Sequence, residues 1–127
     1  MSTFGRPAVL AADFDDEAFA LDVDRYPDRS GARRVAEAAR AEFERHGVPR
    51  ESLRACAAEG RDRTQLAGAL KVYVRQDERF GMVFKPQLRG RELKLVFLAF
   101  GVRHQPPGSH APTVYELAHR RRHGRFP

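Results

Sequence analysis

Two residues able to work on a phosphate follow the last long apolar run of this chain. Val96–Phe100 stops at Gly101, and Arg103 and His104 come next. A Pro/Gly-rich stretch, QPPGSHAPT at 105–113, then reads as a surface loop carrying His110. Tyr115 opens a basic segment that holds Arg120 and Arg121. An arginine presents a planar fork to non-bridging phosphate oxygens. A histidine carries protons near neutral pH. A tyrosine stacks on a base or donates a hydrogen bond. Together these side chains meet the needs of RNA cleavage without a metal. A 2′-hydroxyl must be held in line with phosphorus, its proton removed, the 5′-oxygen protonated, and the charge gathering on phosphorus stabilised. The same pattern also fits a strand end followed by a solvated basic tail. His104, His110 and His119 are the candidate proton carriers.

The elements that would position these groups are legible from apolar spacing. PAVLAADF (7–14) is a short apolar run, read as an edge strand. DDEAFALDVDRY begins with acids, which favour a helix N-terminus, and Pro27 ends it. SGARRVAEAARAEFERHG is the clearest helix. Ser30 suits the N-cap, Ala32, Val35, Ala36, Ala39 and Phe43 form one apolar stripe, and Gly47 with Pro49 ends it. PRESLRACAAEG (49–60) reads as a further short helix.

After residue 66 the period falls from about 3.6 to 2. ALKVYVRQ (69–76) alternates Leu70, Val72 and Val74 with Lys71, Tyr73 and Arg75. RFGMVFK (79–85) alternates Phe80, Met82 and Phe84 with Arg79, Gly81, Val83 and Lys85. Asp77–Glu78 makes a tight turn between them, and Pro86 ends the second strand. ELKLVFLAF (92–100) is apolar on both faces, as in a central strand. The expected fold is α+β. About four strands, centred on an antiparallel meander, carry two or three N-terminal helices on one face. Residues 30–46 should pack on Val72, Met82 and Phe84. Lys71, Arg75, Arg79 and Lys85 would then line the open face, near Arg103, as a groove for a phosphodiester backbone.

Composition narrows the classes. The chain of 127 residues, 42% hydrophobic, suits one domain over 1–127, with 1–6 and 123–127 expected as flexible ends. No apolar run is long enough for a membrane span, and no signal peptide is read, so a cytoplasmic protein is expected. Cys56 is the single cysteine; it excludes an internal disulfide and reads as a small hydrophobe. The histidines show no metal-ligand spacing, so neither metal nor cofactor is expected. Residues 1–64 hold 11 Lys+Arg against 13 Asp+Glu, whereas residues 65–127 hold 12 against 4, leaving the second half net +8. Such a half should attract phosphate-rich polymers.

The stretches LAGALKVYVRQDERFGMVFK, LKLVFLAFGVRH and TVYELAHRR, in that order after two helices, resemble the RelE/ParE toxin superfamily. In RelE-type mRNA interferases an arginine just past a glycine ends the last long strand, and a tyrosine follows in a C-terminal segment. Arg103 after Gly101, and Tyr115, match those positions; Leu66 and Gly68 match a leucine-glycine pair before the meander. The family also has an aromatic-arginine pair early in the second meander strand. Here Gly81 follows Phe80 in place of that arginine, and Arg79 is the nearest cation on its face.

The resemblance implies a toxin of a toxin–antitoxin system that cleaves mRNA on the ribosome without metal. Arg103 would stabilise the phosphorane, with Arg79 adding charge. Tyr115 would orient a nucleotide, and His104 or His110 would act as acid or base. Lys71, Arg75, Lys85, Arg120 and Arg121 would bind the RNA backbone. A cognate antitoxin is the implied partner. The alternative is a non-catalytic ParE-like toxin that binds DNA gyrase, or a nucleic-acid- or protein-binding module of the same fold.

Overall fold

The computed structural model describes residues 8–56 and 68–122. The elements are β1 (Val9–Leu10), β2 (Ala12–Asp13), α1 (Asp16–Asp24), α2 (Ala32–His46), β3 (Val48–Pro49), β4 (Arg54–Ala55), β5 (Leu70–Tyr73), β6 (Phe80–Arg89), β7 (Glu92–Val102) and α3 (Val114–Arg122). Short 3-10 turns at Asp28–Ser30 and Arg50–Ser52 join some of them. The termini expected to be flexible and the Leu66 match lie outside the described residues.

Capping chemistry sets the first helices. The Asp15 carboxylate accepts the free N–H groups of Glu17 and Ala18 at 3.0 and 3.1 Å, and two acids follow in the first turn of α1. α2 starts one residue later than Ser30 predicts. Ser30 ends a 3-10 turn, and Gly31, at φ 78°, takes the N-cap. The Ser30 hydroxyl still accepts the Ala32 N–H at 3.1 Å. Gly47 ends α2, also at φ 78°, a conformation open to glycine without strain.

The main sheet has five strands in the order β2-β7-β6-β5-β4. β4, β5, β6 and β7 pair antiparallel in sequence, so the expected meander is present, and β2 lies parallel to β7 at the edge. The 7–14 run is therefore an edge strand in its second part, while Val9–Leu10 pairs with Val48–Pro49 in a separate ribbon. Residues 49–56 are not the short helix that the spacing suggests; they form β3, a 3-10 turn and β4. The rest of that stretch, 57–60, lies outside the described residues. Pro86 does not end β6, which continues to Arg89. The β5 rungs stop at Leu70↔Phe84, so among the described residues Pro86 stands where one edge of β6 is open, and an open edge tolerates a residue without an N–H.

α1 and α2 cover one face. Phe19, Val23, Ala36, Ala39 and Phe43 pack with Val72, Met82, Phe84, Phe97 and Phe100. This is the face expected for α2. The other face is not open. α3 lies on it, burying Val114, Leu117 and Ala118 against Val83, Leu98, Ala99, Ala69 and Cys56. A register shift at Val83/Phe84 carries both Leu98 and Ala99 into this second cluster. The structure is thus α+β with helices on both faces, not on one. The chain region read as a basic tail folds because Val83, Leu98 and Ala99 leave an apolar patch on the nominally polar side. Apolar character on both faces of β7 follows from the same arrangement.

Among the described residues no helix is long and apolar enough to cross a membrane.

Candidate functional site

Strand alternation places Lys71 and Tyr73 on the α3 side of the sheet. The rungs run Tyr73↔Gly81 and Gly81↔Gly101, so two neighbouring positions beside Tyr73 carry no side chain. Arg103 fills the space at Gly81, while the Val114 backbone and the Tyr26 hydroxyl crowd Gly101. A Cβ at Gly81 would lie 3.3 Å from its Cγ. Its guanidinium carbon sits 3.7 Å from the centroid of the Tyr73 ring, a close cation–π contact. Its Nη1 donates to the Glu78 carbonyl at 2.8 Å, and no carboxylate pairs with it among the described residues. Lys71 continues the row, with Nζ 6.0 Å from the Tyr73 ring centroid and 5.3 Å from that of Tyr115. Tyr115, half-buried in the first turn of α3, packs against the second core cluster. Cations and rings therefore alternate: Arg103, Tyr73, Lys71, Tyr115.

Beside this row an open cleft of about 460 Å³ is lined by Asp77, Glu78, Arg79, Arg103 and His104. The Arg103 N–H donates to the Arg79 carbonyl at 2.9 Å, which joins the two arginine-bearing strand ends. Their side chains differ in state. The Arg79 guanidinium is held by Asp77, with Nε at 3.0 and 3.1 Å from the two carboxylate oxygens. This bond holds the Asp77 carboxyl below its ordinary value. Arg79 thus has a carboxylate partner at an exposed site, whereas Arg103 has none among the described residues. His104 is exposed at the rim of the cleft.

The remaining candidates lie elsewhere. Arg75 is exposed and pairs with Glu42 of α2 at 2.9 Å, which draws it to the helix side of the sheet rather than the Lys71 side. Lys85 is exposed on β6 opposite Val96, outside the row but on its face, about 7 Å along the strand from Val83, the partner of Lys71. His110 is exposed in the 105–113 loop. Arg120 is half-buried on α3. Arg121 is buried, bonded to Asp22 and to the Leu98 carbonyl, so it presents no charge to a phosphate. Cys56 is buried, and burial pushes its thiol up. It follows β4 and not a helix.

The structure thus brings Arg103, Lys71 and Tyr115 into one row and sets Arg79 and His104 beside it. Tyr73, the link in that row, is the residue that reading for charge overlooks. Its signal was present in the alternation that puts it on the Lys71 face, opposite a glycine. Among the described residues no group of three or more His, Cys, Asp or Glu could hold a metal ion. Compared with known proteins, the chain gives no significant match to a family model, a curated protein or a solved structure.

Proposed function

We propose that this protein is a RelE-like toxin of a toxin–antitoxin system, acting as a metal-independent, ribosome-dependent mRNA endoribonuclease. The observation that carries the reading is the row itself. Arg103, free of any carboxylate among the described residues, shares one side of the sheet with Lys71 and Tyr115. Arg103 and Tyr115 are the residues that the family resemblance selects, and they are separated by the 105–113 loop in sequence.

In this reading the 2′-oxygen attacks phosphorus, the P–O5′ bond breaks, and the 5′-oxygen leaves as a hydroxyl. Arg103 stabilises the charge on the non-bridging oxygens, and Lys71 holds an adjacent phosphate. Tyr115 stacks on a base. His104, at the cleft rim, takes or gives the proton. The Arg79–Asp77 pair and the absence of a side chain at Gly81 leave Arg103 as the main cation at phosphorus. A cognate antitoxin is the expected partner, and its acidic or apolar segment would cover this surface.

The same two features favour the rival reading. A site with Gly81 for arginine and Arg79 engaged by Asp77 would bind without cutting, as a gyrase-directed toxin or a nucleic-acid-binding module. Induced expression in a bacterial host, with growth and mRNA 5′-ends followed together, divides the readings. Growth arrest with new mRNA ends supports the endoribonuclease. Arrest with intact mRNA and DNA damage supports gyrase binding. In vitro, RNA affinity should fall with salt by a slope of about 0.7 per phosphate contact on a log–log plot.

A further inference from the structure

We infer that Tyr73 is the positioning residue of the site: its ring holds the Arg103 guanidinium in place for an RNA phosphate. The inference rests on the reading of Arg103 as the group that stabilises phosphate charge. An arginine at a strand end has a long flexible stem, and a cation contributes to a transition state only when its position is set beforehand. Three features set it here. The Tyr73 ring lies 3.7 Å from the guanidinium carbon. The Glu78 carbonyl accepts from Nη1 at 2.8 Å. Gly81 leaves room for the stem, since a Cβ there would meet Arg103 Cγ and the Val72 carbonyl, both at 3.3 Å.

The stem is covered as far as Nε, which is shielded from solvent and has no acceptor among the described residues. Nη2 has no protein acceptor among the described residues either, and Arg103 lines the open cleft. The guanidinium is therefore gripped by its stem and face while its far end remains for a ligand. Gly81 acquires a meaning in the same arrangement. The position lacks a cation of its own, and its emptiness lets the Arg103 stem cross to Tyr73.

The test combines a spectroscopic and a kinetic readout on Tyr73→Leu, Tyr73→Phe and Gly81→Ala in the full chain. Tyr73 is 38% exposed, so its replacement should leave folding intact, to be checked by circular dichroism. Protons of the Arg103 side chain over an aromatic ring should resonate upfield. That shift should survive in Tyr73→Phe and vanish in Tyr73→Leu. Ribosome-dependent mRNA cleavage at saturating substrate should slow by roughly 10- to 100-fold in Tyr73→Leu, the scale expected for a misplaced group, with KM changed less than about two-fold. Tyr73→Phe should restore the rate. Gly81→Ala, which keeps the ring but crowds the stem, should also slow cleavage.

Cleavage by Tyr73→Leu at the wild-type rate would overturn the inference, as would a Tyr73→Phe variant no better than Tyr73→Leu. An Arg103 shift that persists in Tyr73→Leu would overturn it independently of any cleavage. A wild-type protein with the upfield shift but no cleavage would instead sink the endoribonuclease reading, and with it the role of Tyr73 in cleavage, while its hold on Arg103 stands.

Discussion

Asp22 of α1 and Arg121 of α3 meet around the open edge of β7, although their helices cover opposite faces of the sheet. β2 pairs with β7 only at Leu95 and Val96, which leaves later residues of that edge without a strand partner among the described residues. Asp22 accepts the Phe100 N–H at 2.8 Å and the Arg121 Nη1 at 2.7 Å, and Nη1 also donates to the Leu98 carbonyl at 2.6 Å. The Tyr26 hydroxyl takes the next free N–H, of Val102, at 2.9 Å. Side chains thus close the edge that a longer β2 would have closed. Burial pushes the Asp22 carboxyl up from its ordinary value, against the pull of Arg121 and the Phe100 N–H.

Asp22→Asn should therefore leave a buried guanidinium without its counter-charge and cost about 3–5 kcal/mol of stability. Urea denaturation measures it. Adding Arg121→Met to the same chain should recover part of the loss, because it removes the stranded charge. A single-variant loss under about 1 kcal/mol would show that the pair does not hold the two helices to the edge.

Phe84 is fully buried between α2 and the sheet, in edge contact with Phe14 and Phe43. Phe84→Ala should cost about 3–5 kcal/mol through lost burial and the cavity left behind. A tolerant result, again by urea denaturation, would mean that α2 is not anchored on this face.

Arg103→Ala should lower mRNA cleavage by about 10²–10³, the usual effect of removing one preorganised donor at developing charge. Its loss of stability should be only about 1–2 kcal/mol, from the Tyr73 contact and the Glu78 hydrogen bond. Single-turnover cleavage beside a melting curve separates the two. Loss of stability with full activity would place Arg103 in the scaffold alone.

His104→Ala should slow cleavage by about 10²–10⁴ if the histidine moves the proton. His110→Ala, in the loop, should change the rate less. Equal, wild-type rates in both variants would leave catalysis to positioning and charge. Tyr115→Phe should keep most activity if the ring acts by stacking, since loss of the hydroxyl spares the π face.

The Asp77–Arg79 pair gives a pH dependence of known sign. Arg79 holds the Asp77 carboxyl below its ordinary value, so folding favours the ionised form. The stabilisation is present above about pH 4, the ordinary value for an unfolded Asp, and is lost as pH falls through the lower folded value. Arg79 is largely exposed, so the contribution should stay below about 1 kcal/mol. The Tm difference between the wild type and Asp77→Asn should shrink as pH is lowered from about 5. A difference that grows on acidification would contradict the pairing.

The apolar period determined α2 and the cores of the meander strands, though not the run of β6 past Pro86 or the helix α3. A stripe at spacings of three and four specified α2, and alternation around Val72, Met82 and Phe84 specified a meander with that helix on it. Alternation also placed Lys71 and Tyr73 on one face, because successive strand residues must point to opposite sides. What covers a face is a different question. Val83, Leu98 and Ala99 lie on the side that also carries Lys71, and only the folded chain shows that α3 seals them. The same packing decided which cations remain available. Arg121 and Asp22 are 99 residues apart, and Arg75 and Glu42 are 33 apart. Neither pairing has a local signature, so charge in the sequence could not separate an arginine that faces solvent from one neutralised by a distant helix. Arg103 lies over Tyr73 for the same reason. A ring on β5 and an arginine after β7 are brought together by two rungs through Gly81 and Gly101, a register that exists only once the three strands have paired.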